Sequence, residues 1–338
     1  MKEIGEASRW DRRGRRWCTI FGIVSAVFLV FRTEASALDT IYMAITPGKN
    51  FQHVIYPIAQ EKDYMWEEGI DLKLLIIGAT PSIQGLIAGS IQFTVAGTSA
   101  LIAAAKGAAP LKVVLAANDK VHQWLLSKPD ITSPKSLKGK RIATAGVASS
   151  ATFMLKQILI RHGLDPNRDV AYIHQSGGTL LAALLSGSVD AIILGVQPRY
   201  IGVNAGMREL IFFGNEVKNS WGTLATSDRF IREQPKQVAG FIRATLKALR
   251  FIRQDRAATI TAYVKFSSMD RSLATRMYDD LIGTFTRNGT VDEETQKNDL
   301  TIMRQIADVS ELVPISRGYD FSFAHEADRL LNETGWRP

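Results

Sequence analysis

Hydrophobic and polar positions follow the same order in two stretches of the chain that lie 98 residues apart. Residues 83–97 and 181–195 each show an apolar helical pattern that ends in Gly-Ser, followed by a β-rich run that ends in glycine. Glycine tolerates the left-handed conformation that commonly follows the last turn of a helix. Four of the fifteen aligned positions are identical, so a chance likeness of two α/β segments is the alternative. The shared order favours an internal repeat.

The segments that precede each copy also correspond. Apolar runs at 41–45 and 141–145 predict buried strands, and a helical pattern follows each of them. Second strands are predicted at 72–77 and 170–174. Each copy is therefore expected to fold as β-α-β-α-β, an alternation that pairs strands in parallel through helical crossovers. The expected fold class is α/β, with two similar lobes on either side of a cleft.

Two turn-rich segments, at 129–136 and 219–222, mark the boundaries between the lobes. Lobe one is predicted to comprise residues 38–128 and 222–338, and lobe two residues 129–221. The chain would then cross between the lobes twice and form a hinge there.

The chain continues beyond the second crossing with patterns typical of helices. Residues 235–253 form a long amphipathic pattern, and further helices are predicted at 272–285 and 293–307. This helical tail needs a surface to pack against. We expect it to return to lobe one.

The first 37 residues have the pattern of an export signal. Four arginines between residues 12 and 16 precede an apolar run of about 15 residues, shorter than the roughly 20 that a membrane-spanning helix needs. Ala35-Ser36-Ala37 then offers the small residues that a signal peptidase accepts. We predict cleavage near Ala37, with an uncleaved anchor as the alternative. Arg15-Arg16 leaves a twin-arginine route open beside the general one.

Composition narrows the function classes further. The 338 residues carry a formal charge of +8, which falls to +5 without the signal. No dense basic stripe is present, so nucleic acid is not an expected partner, whereas a small acidic ligand is compatible. The single cysteine, Cys18, lies in the signal and excludes a disulfide framework or a multi-cysteine metal site. No HExxH, GxSxG, P-loop or GxGxxG motif is present, and we expect no catalytic residue, metal or cofactor.

Several segments carry a family resemblance: residues 68–72, 86–93, 136–143, 184–191 and 228–231. On these segments the chain resembles substrate-binding proteins of ABC transporters, which have two lobes of the periplasmic-binding type II fold. The nearest group binds aliphatic sulfonates, taurine, nitrate and thiamine-pyrimidine precursors. The resemblance implies a periplasmic monomer that is not an enzyme and that delivers a small molecule to a membrane permease. The resemblance leaves the identity of the ligand open between an anion and a heteroaromatic molecule.

The chain also resembles a second class of protein with this fold, and it departs from the family pattern at one position. The second class comprises the pyrimidine synthases of thiamine biosynthesis, but those enzymes are cytosolic and use a cysteine-rich motif that this chain lacks. The first repeat carries Gln92 where the family often has Asp, whereas the second keeps Asp190, for which a structural role is expected.

Candidate ligand-binding residues follow the carboxyl ends of the predicted strands, where helix N-termini offer unpaired N–H groups and a partial positive charge. Each candidate also has a structural alternative, such as helix capping for the hydroxyls, a hydrophobic staple for the phenylalanine and hinge packing for the tryptophan. Lys49 is more simply a solvated loop charge. The candidates are Phe51, Gln52, His53, Thr98, Ser99, Ser149, Ser150, Thr152, Ser176, Gly177, Gln197 and Trp221.

Overall fold

The computed structural model describes residues 38–48, 50–107, 109–146 and 148–338. The predicted export signal and Lys49 lie outside the described residues. The described part of the chain contains ten strands, which form two five-stranded sheets. The strands are β1 (Asp39–Ile45), β2 (Ile70–Ile76), β3 (Phe93–Thr94), β4 (Leu111–Asn118), β5 (Trp124–Ser127), β6 (Lys140–Thr144), β7 (Val170–His174), β8 (Ala191–Leu194), β9 (Arg208–Phe212) and β10 (Trp221–Ser227).

Both sheets have the same arrangement of parallel and antiparallel strands. The first has the order β2-β1-β3-β10-β4 and the second β7-β6-β8-β5-β9. In each, three strands pair in parallel, as the repeat predicts, and two further strands join the sheet through antiparallel pairings. The predicted α/β fold with two similar lobes is confirmed.

Fifteen α-helices cover these sheets within the described residues, and none of them is both long and apolar enough to cross a membrane. They are α1 (Ile55–Glu61), α2 (Tyr64–Glu67), α3 (Ala79–Ala88), α4 (Gly97–Ala105), α5 (Ser150–Arg161), α6 (Leu180–Leu185), α7 (Val196–Asn204), α8 (Phe213–Glu216), α9 (Asp228–Glu233), α10 (Pro235–Gln254), α11 (Arg256–Ser267), α12 (Arg271–Leu281), α13 (Glu293–Ala307), α14 (Ile315–Gly318) and α15 (Ser322–Glu333).

The helical tail packs on the first sheet, as expected. The long helix α10 begins at Pro235, which the first turn tolerates because its N–H would lack a partner there anyway. Phe241 of α10 is fully buried and stacks on Phe93 of β3, with ring centroids 4.0 Å apart. Arg243 forms a bidentate ion pair with Glu68, whose side chain is 8% exposed. Apolar packing and this ion pair together join the tail to the first lobe.

The strand pairing shows that the chain crosses between the lobes at positions other than those predicted. The predicted second lobe begins at residue 129, yet β5 already pairs with β8 and β9 of the second sheet. The chain therefore crosses first at 119–123 and returns at 217–220, just before β10. The turn-rich segment at 129–136 is a loop inside the second lobe. A turn signal marks a chain reversal, but it does not show which sheet the preceding strand joins.

The two repeat copies share a helix ending and a side-chain tie between strands. Gly89 and Gly187, which follow α3 and α6, have φ values of +81° and +79°. In the second copy, Asp190 Oδ2 accepts a hydrogen bond from the backbone N–H of Arg141 in β6, at 2.9 Å. This bond ties the start of β8 to β6, which confirms the structural role expected for Asp190.

The departure at Gln92 has a local explanation. Gln92 Oε1 accepts from the backbone N–H of Tyr42 in β1, at 2.8 Å, as Asp190 does from Arg141. In the second copy the Arg141 guanidinium compensates the carboxylate. Tyr42 supplies no such cation, and the Gln92 amide instead donates to the carbonyl oxygen of Gly89, at 3.1 Å. A neutral amide therefore replaces an ion pair at the equivalent position.

Candidate functional site

A cavity of about 450 Å³ lies between the two sheets, beside both crossings of the chain. Its walls come from the loop after β1, the start of α7, the crossings, and helices α11 and α12. The lining comprises Gly48, Asn50, Phe51, Gln52, His122, Gln123, Gly195, Val196, Gln197, Pro198, Trp221, Tyr263 and Met277. This lining contains no Lys, Arg, Asp or Glu among the described residues. Within the same limits, no group of three His, Cys, Asp or Glu side chains could hold a metal ion.

Two parallel strands, one from each sheet, place their carboxyl ends at this cavity. The loop after β1 contributes Asn50, Phe51 and Gln52, and Gly195 directly follows β8. Helix α7 begins at the cavity, so the N–H groups of its first turn contribute a partial positive charge there. The cavity therefore lies where open α/β sheets commonly bind ligands.

Phe51 is mainly a packing residue. Only 1% of its surface is exposed, and its ring meets those of Tyr263, Tyr278 and Phe285 edge to face, with centroids 4.8, 6.1 and 5.7 Å away. Offset or edge-to-face pairs of this kind stabilise a packed aromatic cluster. Phe51 thus holds α11 and α12 against the loop after β1 and forms part of the cavity wall. Its neighbour Gln52 is 6% exposed and lines the same wall.

His122, in the first crossing, is a neutral hydrogen-bonding group. Burial lowers its pKa to about 3. The Thr284 hydroxyl donates to the carbonyl oxygen of Leu281 at 2.7 Å and accepts from Asn118 Nδ2 at 3.1 Å. Because that hydroxyl has a single proton, His122 Nε2 must be the donor in its 2.8 Å bond to Thr284 Oγ1. The His122 Nδ1 lone pair is then an acceptor, buried and without a partner among the described residues.

Trp221 and Gln197 line opposite sides of the cleft. Trp221 is half-buried at the start of β10, and its ring centroid lies 6.1 Å from that of His122. Gln197 is exposed in the first turn of α7, and it also lines an adjoining cavity of about 370 Å³ that includes Ser268 and Met269. The structure thus brings four of the twelve candidates, Phe51, Gln52, Gln197 and Trp221, to one cavity.

Three hydroxyl candidates of the second lobe, Ser149, Ser150 and Thr152, lie at the start of α5. Ser149 Oγ accepts from the backbone N–H of Thr152, at 3.3 Å, and so caps α5. Thr152 is fully buried, and its hydroxyl contacts Thr144 Oγ1 at 2.8 Å and the carbonyl oxygen of Gly146 at 2.7 Å. Because the Thr152 side chain has no exposed surface, it does not line the cavity, and its part in ligand binding stays a prediction. Ser149 and Ser150 are half-buried and do not line the cavity.

Five further candidates lie away from the cavity lining. Thr98 is exposed and Ser99 half-buried at the start of α4, and Ser176 and Gly177 are exposed in the turn before α6. His53 is 2% exposed, and burial lowers its pKa to about 4, so its imidazole is neutral at pH 7. A part for these residues in binding stays a prediction.

Several lining residues carry no signal in the local sequence pattern. Tyr263 and Met277 come from α11 and α12, and the Tyr263 hydroxyl donates to Met277 Sδ at 3.9 Å. No motif distinguishes them from other tail residues, because only the return of the tail brings them to the cleft. His122 and Gln123 lie in the first crossing, so locating that crossing correctly would have indicated them.

Hydrogen bonds connect the helical tail to both crossing segments. Asp119 donates its backbone N–H to the carbonyl oxygen of Thr284, at 3.0 Å, in the first crossing. In the second, Asp299 of α13 accepts from Asn219 Nδ2 at 2.8 Å and from Ser220 Oγ at 2.5 Å. Burial raises the pKa of Asp299 to about 6, against the effect of these donors and of Tyr319. The crossing segments are thus anchored on the first lobe.

Solved structures with the same fold include binding proteins of known class. The periplasmic sulfonate-binding protein SsuA from Methylobacillus flagellatus KT is 18% identical, with a TM-score of 0.71 over 89% of this chain and 98% of that chain. The aliphatic sulphonate binding protein SsuA from Escherichia coli is also 18% identical, with a TM-score of 0.66 over 82% and 96%. The nitrate-binding protein NrtA from Synechocystis PCC 6803 is 13% identical, with a TM-score of 0.63 over 87% and 89%. At these identities the likeness shows the fold, and it agrees with the predicted periplasmic-binding type II architecture.

The family assignment comes from sequence. No curated protein matches the chain. A family model described as NMT1/THI5 like matches residues 50–258, which is more than half of the chain and spans both crossings. The chain therefore belongs to the NMT1/THI5-like family.

Proposed function

We propose that this chain is the exported solute-binding component of an ABC importer, which captures a small organic solute in the cleft and delivers it to a membrane permease. The observation that carries the proposal is the cavity between the two sheets at both chain crossings. Structural neighbours that bind sulfonate or nitrate support binding rather than the alternative synthase. The proposal includes a monomer in the periplasm, after removal of residues 1–37.

The cavity lining supports a heteroaromatic solute over a simple anion. Trp221 offers a ring face, and the amides of Gln52, Gln123 and Gln197 offer both donors and acceptors. The neutral His122 offers an acceptor, which favours a solute with an N–H or O–H group. An anionic solute is the second candidate, bound in the cavity through the N–H groups of the first turn of α7.

Binding would couple to movement about the two crossings. Each lobe contributes one strand end and one loop to the cavity, so a solute between them contacts both. Closure then excludes water and strengthens the hydrogen bonds to the solute. The tail contacts at Thr284 and Asp299 keep the crossings attached to the first lobe. We therefore expect the second lobe to move as a rigid body relative to the first.

A ligand screen with a matched pair of variants tests the proposal. Calorimetry is performed with an aminopyrimidine, an aromatic acid, an alkanesulfonate, taurine and nitrate. We expect the aminopyrimidine to bind, and Trp221→Ala to weaken that binding by about fivefold or more, since stacking of a base on an aromatic side chain contributes about 1–3 kcal/mol. Trp66→Ala is the control, because Trp66 is 65% exposed on α2 and does not line the cavity.

The possible results test the transport role and the chemical class of the solute separately. Binding of an anion alone would contradict the heteroaromatic preference and retain the transport role. If no compound binds, or if Trp221→Ala and Trp66→Ala bind alike, the cleft is not the solute site.

A further inference from the structure

A second cavity, of about 610 Å³, lies on the helical tail, and none of its lining residues lines the cleft. It is open to solvent and is formed by the C-terminal end of α10, the turn at residues 287–288, helix α15 and the segment that follows it. The lining consists of four arginines, one carboxylate and three amide side chains: Arg250, Arg253, Arg287, Arg337, Asp328, Gln254, Asn288 and Asn332. Its chemistry is therefore unlike that of the cleft, whose described lining is uncharged.

One arginine of the cavity already has a carboxylate partner. Arg250 Nη2 donates to Asp328 Oδ1 at 2.8 Å and to Asn332 Oδ1 at 2.7 Å. The Arg250 side chain is 12% exposed. Asp328 is the single carboxylate of the lining, so this pair neutralises it.

The other three guanidinium groups have no carboxylate partner among the described residues. Arg253 Nη1 donates to the carbonyl oxygen of Phe285 at 2.6 Å, and Arg337 Nη1 to that of Trp336 at 3.2 Å. Arg287 is exposed and forms no hydrogen bond or ion pair within the described part of the chain. The cavity lining thus carries a net charge of +3, with most of its guanidinium N–H donors uncommitted.

Like charges held around one cavity repel each other, and a multiply charged anion would relieve that repulsion. The planar fork of a guanidinium matches the paired oxygens of a phosphoryl group. A phosphate monoester carries about −1.5 to −2 charge at pH 7 and three acceptor oxygens, whereas a carboxylate carries a single charge. Asn288 adds donors, because its Oδ1 accepts from Thr290 Oγ1 at 2.9 Å and its amide N–H groups stay available.

We propose that this cavity is a second binding site, which recognises a phosphoryl group through Arg253, Arg287 and Arg337. The group can belong to a soluble phosphate compound or to a phospholipid headgroup. Guanidinium groups stay charged at all physiological pH values, so binding follows the ionisation of the phosphoryl group.

Titration with inorganic pyrophosphate tests the soluble source, and flotation with vesicles tests the lipid source. Calorimetry is done in about 0.15 M NaCl to screen non-specific attraction. The vesicles contain phosphatidic acid in phosphatidylcholine, with phosphatidylcholine alone as the reference. We expect one pyrophosphate site per chain, or flotation that depends on phosphatidic acid.

A double variant locates the site. We expect Arg287→Gln/Arg337→Gln to weaken binding by about tenfold or more, because the variant loses the charged hydrogen bonds of two guanidinium groups to the phosphoryl oxygens. The control, Arg232→Gln/Arg317→Gln, removes the same charge from two exposed arginines outside the cavity and should bind as the wild type does. An unchanged melting temperature without ligand shows that the first variant is folded, and Arg287→Gln alone replaces it if the melting temperature falls.

Two results would overturn the inference. One is that neither pyrophosphate nor phosphatidic acid vesicles bind. The other is that the cavity variant binds as tightly as the control variant. Neither measurement involves the cleft, so the outcome is independent of the transported solute.

Discussion

In each repeat copy, one side chain just before the last parallel strand accepts a hydrogen bond from the backbone of the first strand. Replacing these two side chains gives a matched pair of variants. The changes are Asp190→Ala in the second lobe and Gln92→Ala in the first. Both remove an acceptor from a backbone N–H, at 2.9 and 2.8 Å. Only Asp190→Ala also removes ion pairs, so the two variants separate the charged from the neutral form of one contact.

The expected magnitudes follow from the contacts that each variant loses. A backbone N–H bond to a carboxylate contributes about 1.5–3 kcal/mol. The ion pairs of Asp190 with Lys128, at 2.7 Å, and with Arg141, at 3.1 Å, add less than about 1 kcal/mol each because both cations are partly exposed. Asp190→Ala should therefore cost about 2–4 kcal/mol of the free energy of unfolding. Gln92→Ala loses two neutral bonds and should cost about 1–2 kcal/mol.

The pH dependence distinguishes the two variants further. Hydrogen bonding to Arg141, with help from Lys128, holds the pKa of Asp190 well below its ordinary value of 3.8. A carboxyl whose pKa is lower in the folded state stabilises the fold above its unfolded pKa, and this contribution is lost as the pH falls below it. The cost of Asp190→Ala should therefore be about 1 kcal/mol smaller at about pH 3 than at pH 7. The cost of Gln92→Ala should not change, because an amide does not titrate.

Urea unfolding at both pH values, followed by circular dichroism, measures these costs as midpoint shifts multiplied by the slope. An equal cost of Gln92→Ala and Asp190→Ala at pH 7 would contradict the greater strength assigned to the charged contact. The same pH dependence in both variants would contradict the titration of Asp190.

Two further predictions concern the tail and the cleft side of the first sheet. Because the pKa of buried Asp299 is raised to about 6, above the ordinary 3.8, its ionisation should destabilise the fold by up to about 3 kcal/mol as the pH rises from about 4 to 7. Asp299→Asn should remove that part of the pH dependence in a thermal-denaturation series, and an unaltered profile would contradict the assignment. Gly97→Ala should cost about 1–3 kcal/mol, because a Cβ there would overlap Thr223 Oγ1 and lie 3.1 Å from the Thr223 carbonyl oxygen. Gly178→Ala, whose Cβ would meet nothing within 4 Å, is the control, and equal melting temperatures for both would refute the packing argument.

Local sequence patterns determined the repeated part of the fold and one helix of the tail. The predicted strand at 170–174 and the predicted helix at 293–307 have the bounds of β7 and α13. Alternation of strand and helix patterns also predicted the parallel core of both sheets, because parallel pairing needs a crossover between strands. Each of these inferences depends on residues close together in the chain, where hydrophobic period and glycine position carry the information.

The tertiary structure alone decided the crossings and the composition of the cleft. Strands β4 and β10 are antiparallel neighbours although about 100 residues separate them, and no local period encodes such a pairing. Tyr263 reaches the cavity because α10 and α11 fold back on the first sheet, and Thr152 is buried because its hydroxyl bonds inside its own lobe. The four arginines of the second cavity come together in the same way, from helix α10, a turn and the segment after α15. The sequence specifies the type of each side chain, but the exposure and the neighbours of that side chain depend on contacts between distant segments.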